Sequence, residues 1–221
     1  MTESATKARQ LPRGRHGLPR EQVVASQRER ILIATSRAMA ENGYVGTSVA
    51  AILKYAGVSR ETFYEQFRSK EDCFAAAYER AVRPLHDRIA EVTAGAESST
   101  GPTVGLDKLD EILRDYLQHL VDDPASARLF LVEVFAVGST AISRRVQLQE
   151  LIVGLLVGVL DARTEQQRFA CQTLAAAIGA IVTARIAVGD PDGVLALREP
   201  LLELVRRGGE LYGYAVVDGA L

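Results

Sequence analysis

The 221-residue chain has two cysteines, three histidines and no long hydrophobic run, and each shortage closes a class of explanation. Cys73 and Cys171 stand far apart without CxxC or Cys/His spacing, so neither a disulfide framework nor a zinc module is indicated, and two small buried thiols are expected. His16, His86 and His119 are scattered. Although His119 precedes Asp122 and Asp123, the spacing is no metal-ligand pattern, and no metal site is expected. The 18 Gly and seven Pro are too few for a collagen-like or low-complexity chain. The longest uncharged stretch of the C-terminal half, Phe169 to Ala184, contains Gln172, Thr173 and Thr183 and is short of the ~20 apolar residues of a membrane span. The N-terminus is basic but no apolar segment follows it, so it does not read as a secretory signal. A cytoplasmic protein without membrane association is expected. Also missing are a Gly-rich phosphate loop, a nucleophile elbow and any paired catalytic motif; no catalytic residue, no cofactor and no enzyme activity are expected.

What the chain does have is apolar content and an uneven charge. Hydrophobic residues make up 48%, enough for one large or two small folded domains. The formal net charge of -2 averages unlike parts: residues 1–83 carry 14 Lys and Arg against nine Asp and Glu, the remainder 12 against 19. A basic module therefore precedes an acidic body, which admits nucleic-acid binding by the first part only.

Periodicity is helical throughout, with no convincing alternating strand. The first twenty residues, with Lys7, Arg9, Arg13, Arg15 and Arg20 among Pro and Gly, read as a basic arm. Arg13 and Arg15 are either minor-groove ligands or part of a solubilising tail. A helix follows from Glu21, or from the Ser26/Glu29 capping box, to the stop at Asn42-Gly43. Short helices run from Thr47-Ser48 to Ala56 and from Ser59 to about Phe67; a long one opens at Ser69 and reaches Ala94, with Pro84 as an expected kink. After a loop over 94–105, helices are expected at about 107–122, 125–137, 140–161, 164–188 and 194–214. The segments 151–160 and 174–182 are apolar nearly all round and need covering by other helices or another subunit. Gly154 and Gly158 have the spacing of a close helix contact. Glu133, inside an apolar run, must be exposed, paired or hydrogen-bonded. Arg185 poses the same question.

Residues 48–67, SVAAILKYAGVSRETFYEQF, have the layout of a helix-turn-helix. An apolar residue stands in the first helix (Ile52), a small one where the helices touch (Ala56), then a Gly free to take positive φ (Gly57) and an apolar plug (Val58). Seven of the 13 Phe and Tyr residues lie between Tyr44 and Tyr78, as a small three-helix core requires, and Phe63 and Phe67 should face Ile31, Ile52 and Phe74.

With these residues in place, the stretches RERILIATSRAMAENGYVGTSVAAI, AGVSRETFYEQF and SKEDCFAAAY resemble the DNA-binding domain of the TetR family of bacterial one-component regulators, over about residues 26–75. The resemblance implies an all-α homodimer: a basic arm at 1–20, a helix-turn-helix domain at 21–68 and a helical effector-binding and dimerisation domain at 69–221. It implies a double-stranded, pseudo-palindromic operator as partner and, in most members, a small-molecule effector. Carried onto matching positions, Thr47 and Ser48 are phosphate contacts, Arg60 and Thr62 base or backbone contacts, Tyr64 a phosphate contact, and Lys70 a lysine reaching the phosphate backbone. Ser59 and Glu61 complete the candidate DNA-binding set. Glu61 departs from the small residue of many members and is either a reader of a cytosine amino group or a solvated acid at the helix start. The last two helices, 164–188 and 194–214, match the family's dimerisation pair. An apolar or amphipathic effector would fit between helices, with Tyr116, Leu120, Phe130, Val134, Leu155 and Phe169 as candidate lining. The competing reading is a helical ligand-binding or protein-interaction module that binds no operator.

Overall fold

A computed structural model describes residues 19–95 and 102–213, all helices and turns with no strand among them. Residues 1–18 of the expected basic arm, with Arg13 and Arg15, and the Ser98 to Gly101 run lie outside the described residues, while Arg20, taken as the end of the arm, opens the first helix. Among the described residues ten α-helices follow in order: α1 (Arg20–Gly46), α2 (Val49–Ala56), α3 (Arg60–Tyr64), α4 (Lys70–Gly95), α5 (Pro102–Asp122), α6 (Pro124–Leu131), α7 (Ser139–Val159), α8 (Glu165–Val188), α9 (Pro191–Leu195) and α10 (Arg198–Gly208).

Local chemistry sets these boundaries. Ser69 Oγ accepts from Asp72 N–H at 3.1 Å while Asp72 Oδ2 accepts from Arg68 N–H at 2.9 Å, a reciprocal cap that starts α4. Pro84 does not break α4; it lies on the exposed side, and the helix continues to Gly95. Thr164 and Gln167 form the capping box of α8.

The C-terminal region departs from expectation. The segment expected as one helix over 125–137 ends at Leu131 and tightens into a 3-10 turn, Glu133–Ala136. The expected 194–214 helix is two pieces: Asp190 accepts from Gly193 N–H and, with Pro191 at the first helical position, starts α9 early, and α10 is a separate helix of 11 residues. Arg198 grips Asp110 through Nε at 2.6 Å and Nη2 at 2.5 Å, and α10 packs on α5 rather than along α8. The C-terminal pair read from the sequence is therefore met at its ends, where α9 and the 3-10 turn Gly209–Tyr212 pack on α8 and Gln167 Nε2 donates to Glu210 O at 3.1 Å, but not along α10.

One apolar cluster runs from Ile31 through Phe63, Phe67, Phe74 and Tyr78 to Leu129, Leu174 and Tyr212. Helix α6 makes this continuity, packing on both α1 and α4. Both thiols are free and buried; burial pushes Cys73 up to about 11 despite its contact with the Thr35 hydroxyl at 3.1 Å.

Not everything apolar is covered. Gly154 and Gly158 are exposed, and a methyl group added at either meets nothing within 4 Å, so the close contact expected of their spacing is not made among the described residues. On α8, Phe169, Ile181 and Val188 are exposed. Among the described residues α8 alone is long and apolar enough to cross a membrane, where the uncharged stretch read from the sequence is too short, and a third of its most apolar 18-residue window is buried in this fold.

Candidate nucleic-acid interface

The two helices of the 48–67 segment are fixed by their own turn. Ser48 Oγ caps α2 by accepting from Ala51 N–H at 3.2 Å; Gly57 takes the left-handed conformation (φ 63°, ψ 40°), and its N–H closes α2 on Leu53 O at 2.9 Å. Ser59 Oγ then caps α3, accepting from Thr62 N–H at 3.1 Å. Val58 is half-buried and Phe63 fully buried, so α3 is pinned from behind. What remains outside is a polar row: Ser59, Arg60, Glu61 and Tyr64 are exposed and Thr62 is half-exposed, with the Arg60 guanidinium 6.0 Å from the Tyr64 ring centre. Two arginines of α1 neutralise the backs of these helices, Arg30 donating to Ala56 O and Arg28 to Gln66 O while covering the Phe67 ring.

Phe63 and Phe67 pack together in the cluster that holds Ile31, Ile52 and Phe74. Ser48 is exposed at the start of α2, but Thr47 is 2% exposed: its hydroxyl lies 2.7 Å from Gly43 O and 3.0 Å from Ala38 O, carbonyls freed where α1 breaks. The Thr47 side chain is thus occupied inward rather than presented to a phosphate. Lys70 is half-occupied in the same way. Its ammonium donates to Tyr44 O at 2.9 Å and Thr47 O at 3.1 Å and rests 4.1 Å over the Tyr44 ring, leaving one of three N–H groups.

Residues 31–77 match the model of bacterial regulatory proteins of the tetR family. The likeness to the tetR family is thus carried by the N-terminal helices, the segment that holds the helix-turn-helix. Among curated proteins it resembles the HTH-type transcriptional repressor NemR of Escherichia coli K12, 29% identical over 92 residues. That alignment covers 42% of this chain and 46% of NemR, so the chain spans about half the length of the curated relative it matches. Its fold resembles that of the transcriptional regulator FadR from Bacillus subtilis solved with stearoyl-CoA (TM-score 0.65, 19% identity, 80% of this chain and 96% of that one). FadR from Bacillus halodurans is similar (0.66, 20%, 86% and 96%), as is a TetR-like regulator from Rhodococcus sp. RHA1 (0.58, 24%, 86% and 99%).

The helix-turn-helix is wired to the body through Tyr44, which no sequence motif singles out. Gly43 (φ 72°, ψ 162°) breaks α1, so the Tyr44 N–H leaves the helix and donates instead to Glu133 Oε2 at 2.7 Å. Glu133 is 6% exposed and also faces Arg128 Nε at 3.4 Å; Arg128 reaches on to Ala187 O at the end of α8. The Tyr44 hydroxyl donates to Glu71 at 2.8 Å, and burial together with that carboxylate pushes the phenol far above its ordinary range. A parallel link is Arg80 on α4, which donates to Glu29 of α1 at 2.6 Å and to Ser126 of α6 at 3.3 Å. The signal for Glu133 was present as an acid in an apolar run; its partner, 89 positions away, was not legible. Arg185 resolves as an exposed pair with Asp190 at 2.7 Å.

Of the expected effector-lining residues, Tyr116, Phe130 and Leu155 do line a cavity between α4, α5, α6, α7 and α8. Leu120 and Val134 are fully buried in the packed core and do not border it, and Phe169 points outward, 69% exposed. Among the described residues no group of His, Cys, Asp and Glu is placed to hold a metal ion.

Proposed function

We propose that this protein is a homodimeric transcriptional regulator, acting as a repressor, whose two helix-turn-helix heads bind successive major grooves of a pseudo-palindromic operator. The observation that carries the reading is α3: backed by the buried Phe63, it presents Ser59, Arg60, Thr62 and Tyr64 outward from a turn fixed by Gly57. Arg60 reads base edges, Ser48 and Tyr64 position the backbone, and Lys70 contributes at most its remaining N–H to a phosphate. The similarity to NemR, a transcriptional repressor by name, supports the sign of regulation.

A second copy covers the outward stripe of α8, where Phe169, Ala176, Ala180, Ile181, Ala184 and Val188 are exposed and no formal charge interrupts the run between Arg168 and Arg185. The heads then stand at a spacing set by the bodies. An effector in the cavity releases the operator: Phe130 and Leu131 line the cavity at the end of α6, and Glu133, which holds Tyr44, follows directly. An effector that favours a displaced α6 shifts the heads away from operator spacing, with coupling of ~1–3 kcal/mol.

The test is an electrophoretic mobility shift with DNA from upstream of the protein's own gene. Sequence-selective retardation by a dimer at low salt, with competitor present, supports the reading. The absence of any selective shift contradicts it and favours a ligand-binding module without an operator.

A further inference from the structure

The cavity has one polar end. In the structure its volume is about 50 Å³, far below the ~300–1,000 Å³ of pockets that hold drug-sized ligands, so an occupant must push helices apart to enter. Most of its wall is aliphatic, including Leu109, Leu113 and Ile178, but Arg145 and Gln149, one turn apart on α7, also line it. Arg145 Nη1 donates to Gln149 Oε1 at 3.2 Å. That bond fixes the amide orientation, because the opposite flip would set an NH2 group against a guanidinium. It leaves Gln149 Nε2 buried without a partner, and Arg145 Nε is buried without one as well. Gly179 of α8 makes room for the pair: a methyl group there would stand 3.1 Å from Arg145 Nη2.

Both unspent groups are donors, and neither can accept. Arg145 makes no ion pair among the described residues, whereas its neighbour Arg144 is tied to Glu79. Arg145 is half-buried, with its Nε closed off from solvent, and a guanidinium that has lost part of its water without gaining a counter-charge is favoured by a bound anion. The Tyr116 ring borders the same space, its phenol pushed up to about 12 by burial and drawn back by Arg145.

We infer that the effector is an apolar monocarboxylic acid, its carboxylate accepting from Arg145 and Gln149 at the α7 end of the cavity and its hydrocarbon body spreading among the leucines of α5. This deepens the effector-released regulator proposed above and rests on it. A bare hydrocarbon would leave the donors unpaired, and an amine would meet the guanidinium charge. The acid satisfies both walls.

Isothermal titration of the full-length protein with octanoate and with phenylbutyrate, each compared with its methyl ester and with the amine of equal chain length, tests the assignment. The carboxylates are expected to bind about 10- to 100-fold more tightly than the esters, as a charge-assisted hydrogen bond is replaced by a neutral one, and the amines not at all. Arg145→Met should abolish the preference for acid over ester. Gln149→Met, which keeps the charge and the volume, should weaken the acids by about 2- to 12-fold and carries the test if Arg145→Met does not fold. An ester or amine that matches its acid, no binding of either acid at millimolar concentration, or full acid affinity in a folded Arg145→Met protein would overturn the inference. Operator binding by the ligand-free protein is measured alongside. If it persists while the acids fail, only the ligand class is wrong; if it is absent while the acids bind, the regulator reading fails instead.

Discussion

Replacing Glu133 with Ala removes the acceptor of the Tyr44 N–H and leaves that donor in a site the carboxylate had closed to water. The bond is short, 2.7 Å, to an ionised oxygen that is itself buried. Stranding a buried N–H costs ~1–3 kcal/mol, while Arg128, whose side chain is about a third exposed, can turn to solvent at little expense. For a domain of this size ~1 kcal/mol moves Tm by about 2–4 °C, so Glu133→Ala should lower Tm by about 2–12 °C. Glu133→Gln keeps an acceptor oxygen and loses only the charge, and should cost about half as much. If the bond also transmits the effector signal, Glu133→Ala and Gly43→Ala share one defect: the effector still binds the body while operator affinity no longer responds to it. Differential scanning calorimetry and operator titration with and without effector read the two consequences separately. A Glu133→Ala protein with unchanged Tm and an unchanged effector response would refute the reasoning.

Four further outcomes are expected. Arg60→Ala should lose ~1–3 kcal/mol of discrimination between operator and mismatched duplex, measured by competition titration, with little change in Tm because its side chain is exposed. Lys70→Ala should weaken all duplexes alike and reduce the salt slope by no more than about one unit per subunit, yet lower Tm as well, since its ammonium also ties Tyr44 O to Thr47 O. Ile181→Glu places a charge on the uncovered stripe of α8 and should give a light-scattering mass near the 24.0 kDa of one chain instead of twice that, with operator affinity lost in proportion. The Arg198 hydrogen bonds hold the Asp110 carboxyl below its ordinary range, so this pair stabilises the fold above the unfolded pKa of about 4 and loses its contribution as pH falls through the depressed folded value. Both side chains are about a third exposed, so the effect is ~0.2–1 kcal/mol, and Asp110→Asn should flatten the acid limb of a Tm-against-pH curve.

The sequence made the head legible and the body much less so, for a physical reason. Gly57, Ser59 and the Ser69/Asp72 cap act within a few residues of themselves, so turn chemistry alone places α2, α3 and the start of α4. The body is decided by contacts across the chain. Apolar period placed Leu120, Val134 and Phe169 on helix faces but did not say whether a face meets cavity, packed core or solvent, and the three met the second, the second and the third. The break between α9 and α10 depends on Arg198 finding Asp110, 88 positions earlier, and Glu133 on finding Tyr44. Thr47 shows the limit in the head itself: its position at the start of α2 is as expected, but the carbonyls freed by Gly43 took its hydroxyl.

The central claim is best tested by fluorescence anisotropy of the full-length protein on a labelled duplex from upstream of its gene, against a shuffled duplex of the same composition. Two protomers per duplex, at least about a thousandfold preference for the upstream sequence, and its loss in Arg60→Ala are the predicted result. Equal affinity for both duplexes, or selective binding that survives Arg60→Ala and Tyr64→Ala together, would contradict the assignment of α3 to the groove.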